Sequence, residues 1–341
     1  MRTIRLEEPG RFALFTNEEC ATSLNPDEAL VRVHRIGICG TDIHAYRGNQ
    51  PFFRYPRILG HELGVEVVAV GSSSTNVRPG DRCSVEPYLN CGHCIACRRG
   101  KTNSCVNLQV LGVHTDGGMR DALVVPNSKL HPSRHLTLDQ LALIETLAIG
   151  RHALERARVK AGEFALVLGA GPIGLTVVQF AMEAGAQVIV LDINASRLEF
   201  CRDKLGAHFF INASIDQPLE SLKQITSDDL PTVVFDATGN PRSMMAAFEY
   251  TAHGGRLVFV GLFQGEVSFN DPDFHRRELT LLSSRNARPE DFVHIISLVE
   301  NARLDTAAWI THRAAFADAI VEFPRWTRPE TGVIKAMIEV S

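Results

Sequence analysis

Hydrophobic residues are spaced in two different ways along this chain. Up to about residue 150 they fall in short β-rich runs such as EALVRVHRIGI (28–38) and LGVEVVAVG (63–71), and in VRPGDRCSV the Pro79–Gly80 pair marks a turn into another strand. This half predicts an irregular β domain. Beyond it, apolar runs recur between helical stretches: FALVL (164–168), QVIVL (187–191), TVVFDATG (232–239), RLVFVGLF (256–263) and ELTLLSS (278–284). Runs apolar throughout predict strands buried on both faces, and their alternation with helices predicts an α/β architecture with a doubly wound parallel sheet. The last segment, LDTAAWITHRAAFADAIVEF followed by GVIKAMIEV, reads as a helix and then a strand.

One stretch imitates a membrane span. Phe164 to Met182 carries no charged residue and has about the length of a bilayer-crossing helix. Three glycines and a proline in its first half predict instead a strand, a tight turn and a buried helix. The 341 residues suffice for two cores. A net charge of −4 with 22% charged residues offers neither a polybasic patch nor an acidic tail, which argues against nucleic-acid and anionic-membrane partners. The N-terminus, MRTIRLEEPG, becomes charged before an apolar signal segment can develop, so a cytoplasmic enzyme acting on small molecules is expected.

Of eight cysteines, Cys91, Cys94, Cys97 and Cys105 crowd into NCGHCIACRRGKTNSC, while Cys20, Cys39, Cys83 and Cys201 are scattered. A reducing cytosol disfavours disulfides and favours thiolate ligands at such spacing. Four sulfurs from one loop close a tetrahedron around zinc at about 2.3 Å each, with no position left for substrate, so the site is expected to be structural. An iron–sulfur cluster and redox-active thiols are the competing readings.

A second cluster lies in GICGTDIHAYRG (37–48) and RILGHELGVEVVAVG (57–71). Alone, Cys39 reads as a buried thiol, and His44 or His61 as a surface or core histidine. Together, Cys39, His61 and a carboxylate, Glu62 or Glu145, offer the sulfur, nitrogen and oxygen donors of a catalytic zinc with an open position. Glu145 interrupts the apolar QLALIETLAIG, where an unpaired carboxylate is costly to bury. A solvent-facing carboxylate near a helix start is the other reading of that residue.

The third signal is EFALVLGAGPIGLTVVQFAMEAGAQVIVLDIN (163–194). Gly169, Gly171 and Gly174, with Pro172 and Ile173 between them, follow a strand and open a helix, the setting in which glycines make the turn, admit a pyrophosphate and pack the helix closely. Asp192 ends the next strand, placed to accept the adenosine ribose hydroxyls, which favours NAD over NADP despite the nearby Arg197. Ligands of such sheets bind at the carboxyl ends of the strands, which brings Thr238, Gly261, Leu262, Ser284 and Arg285 into consideration as a group.

GICGTDIH, GHE, VRPGDR, the four-cysteine loop, GAGPIGL and the late aspartate stand in an order that resembles, over essentially the full length, the zinc-dependent medium-chain dehydrogenases, which include alcohol, sorbitol and threonine dehydrogenases. The resemblance implies a GroES-like catalytic domain (1–150 and 287–341, with a zinc lobe at about 90–106) around a Rossmann domain (151–286), and an active-site cleft between them. It implies two zinc ions per subunit and NAD, with Cys39, His61 and Glu62 as catalytic ligands and Glu145 as an additional or alternating one. Thr41 then hydrogen-bonds the substrate oxygen, His44 passes its proton toward solvent, and Asp42 orients the zinc-bound histidine. A homo-oligomer, tetramer or dimer, is implied by the same analogy.

Two positions depart from the family's pattern: Val65 stands where a glycine is usual, Gly64 coming one residue early, and Thr146 follows Glu145 where proline is common. LGVHTDGGM (111–119) and LLSSRNARPEDF (281–292) resemble enzymes oxidising hexonates such as L-galactonate or L-gulonate, with His114 and Arg285 as candidate substrate contacts. His114 reads equally as a structural loop residue. L-Threonine and sorbitol-type polyols are the alternative substrates, and a non-catalytic zinc- and NAD-binding protein is the alternative of a different class.

Overall fold

The computed structural model describes residues 1–16, 23–50 and 53–340, so Cys20 lies outside the described residues. The chain forms two compact units, Met1–Thr146 with Arg288–Ser341, and Leu147–Ala287. The first division falls inside the helix Leu138–Ala157.

The first unit is built on the long strand Glu28–Ile38, which pairs antiparallel with Glu62–Val70, Ala122–Pro126 and Lys335–Glu339. Arg82–Val85 and Leu130–Pro132 extend the sheet on one side, and Ile310–Ala315 runs parallel to Lys335–Glu339 on the other. Inward-facing Val31, Val33, Leu63, Val65 and Ile338 form its buried core. The register sets Gly37 opposite Glu62 and Ile38 opposite Ala336, which brings the ends of three strands together. The segment from 303 corrects the sequence reading: a strand, Ile310–Ala315, precedes the helix Ala319–Trp326 and the final strand. It was hidden because it lies at a sheet edge, where half of its positions face water and long apolar residues are not required.

The second unit holds a six-stranded parallel sheet in the order Phe209–Asn212, Gln187–Asp192, Phe164–Leu168, Val233–Asp236, Arg256–Phe259 and Thr280–Ser283. The strand sequence reverses at Phe164–Leu168, the arrangement of a doubly wound nucleotide-binding sheet. Its central strands are buried on both faces, as their unbroken apolar character requires. Thr280–Ser283 is an exception to the expectation of a buried strand. As the last strand of the sheet it leaves Leu281 38% exposed. Among the described residues no helix is long and apolar enough to cross a membrane, and 164–182 forms a strand, a turn and the helix Pro172–Glu183.

Candidate functional site

In the first unit Cys39 directly follows the strand Glu28–Ile38 and caps the short helix Gly40–Tyr46, while His61 and Glu62 stand at the start of the strand Glu62–Val70. One ligand atom each from Cys39, His61 and Glu62 lies within 4.8 Å of the others. Gly37 makes this possible: a Cβ there would stand 2.1 Å from Glu62 Oε2. The Gly64 departure also acquires a reason. A Cβ at 64 would meet the Leu138 carbonyl oxygen at 2.2 Å, so the strand can lie against the start of the helix only with glycine at that position, while Val65 simply joins the core.

Asp42 is fully buried and accepts a hydrogen bond from the Cys39 backbone N–H at 2.9 Å. Its other oxygen lies 3.6 Å from His61 Nδ1, too long for a hydrogen bond but close enough for its charge to act. Burial disfavours a charged His61, yet Asp42, Cys39 and Glu145 outweigh it and raise the imidazole pKa well above its ordinary value. The field that holds a proton there attracts a cation equally, while His61 Nδ1, buried without a hydrogen-bond partner, faces Asp42. The donor set and its field therefore fit a zinc ion. Thr41 and His44, three residues apart, share one face of the helix Gly40–Tyr46, the first half-buried and the second exposed.

Glu145 is buried in mid-helix and stands outside the three-donor set, its carboxylate accepting a hydrogen bond from the Tyr88 hydroxyl. Burial raises its pKa, as it does that of Tyr88. Beside it, the Thr146 hydroxyl is buried without a hydrogen-bond partner. A cation that sequence reading missed completes the cluster: Lys335, 1% exposed, donates to Glu62 Oε1 at 2.6 Å and Oε2 at 2.8 Å. The signal was available, a lone charge in the apolar VIKAMI.

The sulfurs of Cys91, Cys94, Cys97 and Cys105 also lie within 4.8 Å of one another. Cys94 Sγ is 3.5 Å from Cys97 Sγ and 3.9 Å from Cys105 Sγ. Sulfurs bound tetrahedrally to zinc stand about 3.8 Å apart, so the loop fits that ion too. Backbone N–H groups of Cys97 and Val106 bring the Cys94 thiol down to about 6, which favours the ligating thiolate.

In the second unit Gly169 adopts a φ of +90°, and a Cβ on Gly174 would stand 1.7 Å from the Gly169 carbonyl oxygen. Gly171 differs: a Cβ there would meet only Arg197 Nη1, at 3.6 Å, so that face of the turn is open, beside a helix N-terminus with no side-chain cap. An uncapped N-terminus behind an open glycine fits a pyrophosphate. Asp192 is fixed by the N–H groups of Ala170 (2.6 Å) and Asn194 (2.8 Å), with acceptor capacity to spare. The parallel register aligns Leu191, Leu168, Asp236, Phe259 and Ser283 across the sheet, so the turn of Gly169–Gly174, with Pro172 and Ile173, and Asp192, Thr238, Gly261, Leu262, Ser284 and Arg285 all follow strand ends on one edge. His114 Nδ1 accepts the Val110 backbone N–H at 3.1 Å.

Residues 25–135 match the alcohol dehydrogenase GroES-like domain, and residues 172–301 the zinc-binding dehydrogenase domain. The L-galactonate-5-dehydrogenase of Escherichia coli K12 is 41% identical over 312 residues, 92% of each chain. The chain belongs to the zinc-type alcohol dehydrogenase family. Another member, the sorbitol dehydrogenase of Bacillus subtilis 168, is 37% identical over 76% of this chain and 75% of its own. The crystal structure of RspB from E. coli CFT073, described as a short chain alcohol dehydrogenase complexed with NADH, is similar with a TM-score of 0.93 at 30% identity, covering 100% of this chain and 99% of that one. The protein is accordingly an oxidoreductase of the alcohol and polyol dehydrogenase class.

Proposed function

We propose that this dehydrogenase oxidises a secondary alcohol of a polyol or sugar acid to the ketone with NAD as acceptor, and that a hexonate such as L-galactonate or L-gulonate is its substrate. The observation that carries the reading is the convergence of Cys39, His61 and Glu62 within 4.8 Å. A zinc ion held by these three, with Glu145 as the additional or alternating carboxylate, supplies the positive charge that lets an alcohol part with its proton near neutral pH. NAD supplies the hydride acceptor.

The chain's own residues do the rest. Thr41 relays the hydroxyl proton, accepting it as it gives up its own, and His44, one turn further along the same face, passes it through the nicotinamide ribose toward solvent. Asp42 places a negative charge behind Nδ1 of His61, which keeps the proton on that nitrogen and leaves the other free to ligate. The open face at Gly171 and the helix N-terminus bind the pyrophosphate, and Asp192 accepts the ribose hydroxyls and repels a 2′-phosphate. Cys91, Cys94, Cys97 and Cys105 hold a second, structural zinc. Hexonates are favoured by the name of the relative at 41% identity. His114 and Arg285 are the proposed substrate contacts, and in this structure Nδ1 of His114 accepts a backbone hydrogen bond within its own loop.

The test is NADH absorbance with a panel of aldonates, polyols and amino alcohols, before and after chelation. Chelator-sensitive turnover of a hexonate is expected. No turnover of any secondary alcohol by protein with bound zinc and NAD would overturn the proposal.

A further inference from the structure

Behind the four-cysteine loop lies a buried polar chain that the reaction does not use. Glu86, fully buried, accepts from Lys129 Nζ at 2.5 Å and faces His131 Nε2 at 3.3 Å. Lys129 Nζ also donates to Asn90 Oδ1 at 2.8 Å, and Asn90 Nδ2 faces Cys97 Sγ at 3.6 Å. The chemistry of each member gives the chain a direction. An ammonium only donates, so Lys129 holds the oxygen end of the amide and turns its NH2 toward the sulfur. A thiolate only accepts. Cys94 and Cys105 receive backbone N–H groups, from Cys97 and Cys91, whereas Cys97 receives a side-chain donor from the first residue of the loop.

We propose that Asn90 is a positioning residue for the Cys97 thiolate, and that Lys129, itself anchored on Glu86, fixes which end of the Asn90 amide meets the sulfur. The chain thereby slows loss of the structural metal and joins the loop to the β-sheet. Residues 86, 88 and 90 alternate along one segment, and Tyr88 donates to Glu145, so the segment that reaches the Cys97 sulfur also holds a carboxylate of the proposed catalytic site. The inference rests on the reading of the four cysteines as a closed zinc site.

Asn90→Asp is the decisive variant, because it keeps the shape and the Lys129 contact but sets a carboxylate oxygen against Cys97. In the whole protein, zinc release to a chromogenic chelator should accelerate by about tenfold or more, the effect of losing a partner behind a metal ligand. In cobalt-substituted protein the sulfur-to-metal charge-transfer band should move to lower energy, since a thiolate without its donor gives up electron density more easily. Lys129→Met alone strands the buried Glu86 charge and threatens the fold, so Lys129 is tested as Lys129→Met/Glu86→Gln, which should speed release less than Asn90→Asp does. Wild-type release and an unmoved band in Asn90→Asp would overturn the proposal, provided Cys94→Ser has lost one zinc per chain. If Cys94→Ser loses none, the four-cysteine reading itself falls, and this inference with it.

Discussion

Lys335 Nζ lies 2.6 and 2.8 Å from the two carboxylate oxygens of Glu62, and both side chains are 1% exposed. Burial disfavours the ammonium, but Glu62 and Cys39 more than offset it and raise its pKa. The pair therefore keeps one positive charge among the anionic donors of the proposed catalytic centre.

In metal-free protein, removing that charge strands Glu62. Lys335→Met is expected to lower stability by about 3 to 5 kcal/mol, the cost of breaking a buried pair from one side. Lys335→Met/Glu62→Gln should recover much of it. Urea unfolding of the two variants checks this; equal losses in both would show that the charge is not what matters.

Cys39→Ser takes a thiolate from the three-donor set. Turnover should fall to background while the circular dichroism spectrum and NAD affinity stay at wild-type values, because the glycine turn belongs to the second unit. Retention of full activity refutes the assignment.

Cys94→Ser acts on the other site. Closed zinc sites contribute to folding, so the expected outcome is a lower Tm and loss of one zinc per chain, read by thermal scanning and metal analysis. A variant as stable as the parent would count against a structural loop.

Asp192→Gly removes the carboxylate that Ala170 and Asn194 hold in place. The ratio of kcat/KM for NAD over NADP should drop by about tenfold or more, a change of at least 1.4 kcal/mol in relative transition-state binding. An unchanged ratio would mean that another group reads the ribose.

Asp139 sits between Arg35 (2.8 Å) and Arg313 (2.5 Å) and links the start of the helix Leu138–Ala157 to two strands of the sheet. Burial opposes its ionisation, but the two guanidinium groups prevail and lower its pKa. A lowered folded-state pKa stabilises above the unfolded value, about 3.9, and the contribution disappears as pH falls through the folded one. Asp139→Asn should thus cost up to about 1 kcal/mol at pH 7 and progressively less as the pH falls below about 3.9, measured by urea unfolding across that range.

What the sequence made legible was what short-range geometry dictates. The glycine spacing at 169–174 specifies its own backbone, and apolar runs specify strands buried on both faces. ELTLLSS misled because composition does not reveal whether a strand is central or last in a sheet. Tyr88, Lys129 and Lys335 escaped notice for another reason: their partners lie 57, 43 and 273 residues away, and only the folded register brings them together. Lys335 was nonetheless discoverable, since a charge flanked by apolar residues on both sides demands a counter-charge, as Glu145 already did.

The pairing of Lys335–Glu339 with Glu28–Ile38 also constrains the order of events during synthesis. Residues 35–38 have no partner on that side until the final strand has been translated, and Glu62 has no cation before then. The nascent chain must carry an open sheet edge and an unneutralised carboxylate while the ribosome makes the whole second unit, so losing the last few residues would leave the proposed metal pocket unfinished, although every one of its proposed ligands comes from the first half of the chain.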